Sequence, residues 1–221
     1  MGFWQRYIPH DELETIAEGL LTMYQSGHLL EAPRALDIEH FAEFALGANL
    51  DFAQLSDDLS VLGMTTFEST SLPLTNAEPT VDITIAPRTI VLDAKALESQ
   101  PATRHRFTVA HECGHLILHE KYFLARSRED SSAVARCKTN TAAKTTKDQQ
   151  DRLELQANYL GACLLMPRST FTSYFNSHIA ERWREMNDQD RKAAYTKLTE
   201  TFQVSRVAAK LRIQDLDLRA E

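Results

Sequence analysis

Three residues at helical spacing carry the most specific chemistry in the chain: His111, Glu112 and His115, within "RHRFTVAHECGHLILHE" (104–120). On a helix, positions i and i+4 lie about 40° apart and about 6 Å along the axis, so two imidazoles can grip one metal ion from the same side. Glu112 falls about 100° round from His111, where it can reach a water at such an ion without being a ligand. A metal that lowers the pKa of water toward about 7, beside a carboxylate that takes the proton, is the chemistry of an H-E-x-x-H helix. In projection, Thr108, His111, Glu112, His115 and His119 share one sector. Val109, Ala110, Cys113, Leu116 and Ile117 take the opposite one, which makes Cys113 a core residue rather than a sulfur ligand.

Catalytic zinc takes three protein ligands and keeps an open position for water, so a third ligand is needed. Leu118 and Lys121 stand where a metzincin would place Gly and a third His. A later segment, "DRLELQANYLGACLLMP" (151–167), aligns Glu154, Asn158, Gly161 and Leu165 on one helix face. Glu154 can coordinate metal, and Asn158 can hold the outer nitrogen of a metal-bound histidine. Gly161 lets another helix come close, and Pro167 ends the segment. Taken alone, Glu154 reads as an exposed helix glutamate. In an otherwise apolar helix downstream of H-E-x-x-H, the ligand reading is favoured. His119, one turn beyond His115, suits the negative end of the helix dipole or support behind a metal ligand. Cys137 can act as a thiolate that masks the metal, although a free thiol is the simpler reading. His178, Tyr122, Tyr159 and Tyr174 are all available as oxyanion donors, and nothing in the sequence selects one.

The elements that must position these residues follow from periodicity. Residues 10–26 and 37–47 read as amphipathic helices. Strand-like runs follow at 50–55, 61–67, 81–86 and 89–92, with a hairpin turn expected at Ala86-Pro87-Arg88. From Ala102 onward the pattern is almost wholly helical, apart from a polar stretch at 125–150 that reads as a flexible loop. A single domain is expected over 1–221. It comprises N-terminal helices and a β-sheet (1–100), site helices (101–168) and a C-terminal helical segment (169–221).

Composition narrows the function classes. The net charge of -7 argues against a general nucleic-acid binder. No apolar run approaches the roughly 20 residues that span a bilayer. The start "MGFWQRYIPHDELE" has no apolar signal segment, and three cysteines at unrelated spacings do not form a disulfide framework. A cytoplasmic location is therefore expected.

The blocks "RHRFTVAHECGHLILH" and "ELQANYLGACLLMP" resemble the ImmA/IrrE family of zinc metallopeptidases. The family pattern is R-x-R-F-T-x-A-H-E-x-G-H-x-x-L-H, then E-x-x-A-N-x-F-A-x-x-L-L-M-P. The departures, Leu160 and Gly161 in place of Phe-Ala, are packing changes. The resemblance implies an α+β, zincin-like domain with a small twisted β-sheet, an H-E-x-x-H helix and a mostly helical C-terminal half. It implies one zinc ion held by His111, His115 and Glu154, with Glu112 as general base. It also implies cleavage of a protein partner, typically a helix-turn-helix repressor, and a sheet edge among the 61–92 strands that pairs with substrate. Two rival classes remain. A zinc-bearing sensor without hydrolysis would keep the same ligands. A DNA-binding helical hairpin over 181–213 has eight Lys or Arg against five Asp or Glu, a mild excess that suits a packed hairpin equally well.

Overall fold

The computed structural model describes residues 6–74, 81–127, 134–138, 149–182 and 184–218. In chain order its helices are α1 (His10–Met23), α2 (His28–Glu31), α3 (Ile38–His40), α4 (Ala94–Ser99), α5 (Ala102–Leu118) and α6 (Glu120–Ser127). They continue with α7 (Gln149–Leu165), α8 (Arg168–Phe175), α9 (Asp188–Phe202) and α10 (Arg206–Asp215). The strands are β1 (Asn49–Ala53), β2 (Val61–Thr66), β3 (Thr70–Leu74), β4 (Val81–Ile85), β5 (Thr89–Asp93) and β6 (Val134–Lys138). The fold is α+β, mostly helical with a small sheet, as a zincin-like domain requires.

The chain groups into two compact units, Met1–Ile8 with Ile38–Gly161, and Pro9–Asp37 with Ala162–Glu221. The first holds a four-stranded sheet in the order β1-β5-β2-β6. β5 runs parallel to β1 and antiparallel to β2, and β6 is antiparallel to β2. Every residue of β5 is buried, which is why "TIVLD" is a continuous apolar run rather than an alternating one. On β2 the pleat separates two roles. Met64 joins Ala53, Ile85 and Val91 in a core cluster, while Gly63 and Thr65 meet α5. Asp93 ends the sheet and starts α4 by accepting from the Ala96 N–H at 2.8 Å, an N-cap that also receives the Leu55 N–H at 2.8 Å.

The second unit is helical. Arg212 of α10, fully buried, makes a two-pronged ion pair with Glu14 of α1 at 2.6 and 2.7 Å, and its Nε–H donates to the Met166 carbonyl at 2.9 Å. This pair explains why α1 groups with the C-terminal helices and not with the sheet that follows it in sequence. Phe171, Phe175 and Phe202 fill the core of this unit.

Two expectations from the sequence are corrected. The hairpin placed at 86–88 is not there: β4 pairs with β3, and β5 pairs with β2 and β1. The pairs Thr66–Thr89 and Thr70–Ile85 keep one register, although β2–β5 and β3–β4 belong to separate sheets. Residues 75–80, between β3 and β4, lie outside the described residues. Pro73 hid β3, because a proline demotes a strand unless it sits where no ladder N–H is needed. The stretch 125–150 is not one loop. α6 reaches Ser127, β6 occupies Val134–Lys138 and α7 begins at Gln149, while 128–133 and 139–148 lie outside the described residues. β6 exists by pairing with β2 from far along the chain, which local composition does not encode. Within α5, all of Thr108–Leu116 is buried, so the metal-binding and packing sectors both lie inside the unit.

Candidate metal centre

The site is built where α5 is pressed between β2 and α7. On one flank, a Cβ placed at Gly63 would lie 2.7 Å from Thr108 Cγ2 and 3.1 Å from Glu112 Oε1, so only glycine lets β2 approach this closely. On the other, a Cβ at Gly114 would lie 2.8 Å from the Ala157 carbonyl oxygen, and one at Gly161 3.0 Å from the Ala110 carbonyl carbon. Small residues on both helices bring their backbones together, and this close crossing delivers Glu154 of α7 to the histidines of α5.

His111 Nε2 and His115 Nε2 are 3.1 Å apart. Glu154 Oε2 lies 3.3 Å from His111 Nε2, and Oε1 lies 3.5 Å from His115 Nε2. One donor atom from each of the three residues lies within 4.8 Å of the others, a group able to hold a metal ion. Both imidazoles are fully buried, and the Glu154 side chain, 15% exposed, keeps both carboxylate oxygens buried. Among the described residues neither Glu154 oxygen has a well-formed hydrogen bond beyond its approach to the two imidazoles, a costly state for a buried carboxylate that a cation would relieve.

The charge states suit that role. Burial pushes Glu154 toward its neutral form, but the adjoining imidazoles of His111 and His115 outweigh it and bring its pKa down to about 2. Burial holds His115 below the usual imidazole range. Burial, and then the neighbouring His115, push His119 down to about 3. A neutral His115 imidazole beside an ionised Glu154 carboxylate is the kind of donor pair a divalent cation requires.

The remaining residues singled out from sequence are distributed around this trio. Asn158 Oδ1 lies 2.9 Å from His111 Nδ1. His119 Nδ1 lies 3.0 Å from His115 Nδ1. Glu112, fully buried, accepts from the Thr65 hydroxyl at 2.6 Å through Oε2. Cys113 is fully buried, and burial, then Glu112, push its thiol far up, as befits a core residue. Tyr122 and Tyr159 are buried. Tyr174 and His178, in the other unit, stack at 4.3 Å. The Cys137 side chain lies outside the described residues.

Sequence reasoning missed Thr65 and Gln156, which meet the site across 47 and 37 residues. Gln156 left one signal: a polar residue inside the apolar run of α7, off the face of Glu154 and Asn158. Thr65 left another, since the period of two on β2 sets it on the face of Gly63.

Among solved structures, a Mycobacterium tuberculosis transcriptional regulator is 14% identical with a TM-score of 0.49, over 94% of this chain and 47% of that one. The chain thus spans about half the length of that regulator. No curated protein matches it. Among the described residues, no helix is long and apolar enough to cross a membrane. A family model described as the IrrE N-terminal-like domain, a peptidase family, matches residues 78–214. That span is more than half of the chain and holds α5, α7 and the whole His111–His115–Glu154 group. The protein therefore belongs to the IrrE N-terminal-like peptidase family, and membership implies a metal ion.

Proposed function

We propose that the chain is a zinc-dependent endopeptidase that hydrolyses a peptide bond in a protein partner, a helix-turn-helix transcriptional repressor, in the cytoplasm. The observation that carries this reading is the convergence of His111 Nε2, His115 Nε2 and the Glu154 carboxylate at separations of 3.1, 3.3 and 3.5 Å. Two imidazoles and one carboxylate, with one donor atom from each within 4.8 Å of the others, are a donor set that zinc takes. Among the described residues, three protein donors rather than four leave one position open, the pattern of catalytic and not structural zinc. When bound, zinc supplies Lewis-acid polarisation of the scissile carbonyl and lowers the pKa of water toward about 7.

Within the reading, each side chain has a task. His111, His115 and Glu154 hold the ion, with Asn158 orienting His111 and His119 standing behind His115. Glu112 takes the proton of the attacking water and delivers it to the leaving amine. Thr65 holds one Glu112 oxygen in place by its 2.6 Å hydrogen bond. The repressor substrate is drawn from the resemblance to ImmA/IrrE peptidases, and the free buried thiols of Cys113 and Cys163 fit a reducing compartment.

The test is Glu112→Gln, which keeps the shape of the side chain and removes the base. Wild type is expected to carry one zinc per chain by elemental analysis, and His111→Ala or Glu154→Ala to lose it. Glu112→Gln is expected to retain the metal and to stop cleavage of the partner repressor. Full biological activity in Glu112→Gln would instead make the protein a zinc-bearing regulator that binds a repressor or DNA without hydrolysis.

A further inference from the structure

We propose that Gln156 is a positioning residue: through His119 it keeps the proton of His115 on Nδ1, leaving the His115 Nε2 lone pair for the metal. The metal side of this inference rests on the proposed zinc site. The placement of the proton does not.

Donor and acceptor rules determine the chain of contacts from its far end. The Gln156 amide reaches the backbone carbonyl of Arg6 at 3.1 Å. A carbonyl only accepts, so Gln156 must turn its NH2 toward Arg6 and its oxygen the other way. That oxygen, Oε1, lies 3.0 Å from His119 Nε2. An amide oxygen also only accepts, so the single proton of a neutral His119 sits on Nε2 and its Nδ1 is bare. His119 Nδ1 faces His115 Nδ1 at 3.0 Å, and with one partner bare the other must donate. His115 therefore carries its proton on Nδ1, and its Nε2 is the nitrogen 3.1 Å from His111 Nε2 and 3.5 Å from Glu154.

Gln156, His119 and His115 are all buried, so water does not compete for these bonds. Asn158 does the same for His111 in one step, where Gln156 needs His119 as an intermediary. Both amides come from α7, the helix that also carries Glu154. One helix thus supplies a candidate ligand and orients both histidines, and the site depends on α7 at three points rather than one.

Proton positions are read from long-range proton–nitrogen spectra of metal-free, full-length protein with isotopically labelled histidine. Zinc affinity is read by competition with a chromophoric chelator. In wild type the His115 proton is expected on Nδ1 and the His119 proton on Nε2. Gln156→Met removes the amide at similar length, and zinc affinity should fall about 10–100-fold. His119→Asn sets an amide oxygen where Nδ1 stood and should hold zinc affinity within about threefold, whereas His119→Leu, of the same shape, should lose about 10–100-fold. A role in packing alone would move the Asn and Leu variants together. A His115 proton on Nε2 in wild type overturns the proposal without any variant having to fold, as does zinc bound equally well by His119→Leu and His119→Asn. A wild type that binds no zinc at all sinks the proposed function instead, and the proton positions are still read in that case.

Discussion

The separation of α5 and α7 sets the geometry of the metal centre, and Gly114→Ala tests this. Ala is the better helix former by about 1 kcal/mol, so propensity alone says the variant is more stable. The structure says otherwise. The new Cβ would sit 2.8 Å from the Ala157 carbonyl oxygen and 2.9 Å from its Cα. Both are backbone atoms that no side-chain rotation can move. Ordinary contact begins at 3.4 Å, so the helices must part by about 0.6 Å locally. Overpacking of this kind costs about 1–3 kcal/mol, which offsets the propensity gain and leaves a net loss of up to about 2 kcal/mol. The consequence for metal is larger, because donor positions tolerate errors of only about 0.2 Å. Ala157 lies one turn from Glu154 and Gly114 adjoins His115, so the opening acts on the ligands directly. Zinc affinity should fall at least about tenfold, equivalent to about 1.4 kcal/mol. Urea unfolding of the metal-free protein and chelator competition measure the two effects. Gly19→Ala is the control: it lies within α1 with nothing within 4 Å of the added Cβ, so it should stabilise by about 0.5–1 kcal/mol. A Gly114→Ala protein that is also about 1 kcal/mol more stable, with zinc affinity unchanged, would refute the role given to this crossing.

Three other outcomes are expected. Thr65→Val deletes the 2.6 Å hydrogen bond to buried Glu112 and should destabilise the metal-free protein by about 1–3 kcal/mol, with Thr65→Ser restoring much of it; equal stability of the two variants would contradict this. Because His119 stays neutral down to about pH 3 when folded but takes up a proton near pH 6.5 when unfolded, its contribution is complete above pH 6.5 and is lost as pH falls. Between pH 7.5 and 5.5 that loss is about 1.4 kcal/mol in metal-free protein, and a stability that holds or rises over this interval would show the histidine to be protonated when folded. Arg212→Met leaves Glu14 buried without its two-pronged partner and should cost about 3–5 kcal/mol by thermal unfolding, while pairing it with Glu14→Leu should recover most of the loss; a single variant as stable as wild type would remove the pair from the account of the second unit.

What the sequence determined by itself is what a single element carries. The spacing of His111, Glu112 and His115 is a property of any α-helix, so their shared reach was readable without a fold. Glu154 and Asn158 were readable for the same reason, one turn apart on α7, and Gly161 announced a close approach without naming its partner. Local signals failed where backbones pair at a distance. β3 was masked by Pro73 and β6 by polar composition, because a strand is completed by its neighbour and not by its own residues. The sorting of α5 into a chemical and a packing face was right about Cys113, while the burial of both faces came from β2 on one flank and α7 on the other. Only the tertiary structure decided that two glycines, at 114 and 161, let α7 come near enough to offer a carboxylate. Only it joined Thr65 to Glu112, and Gln156 to His115 by way of His119. Those contacts act over a few ångströms between residues dozens of positions apart, and no pattern along the chain encodes a distance across it.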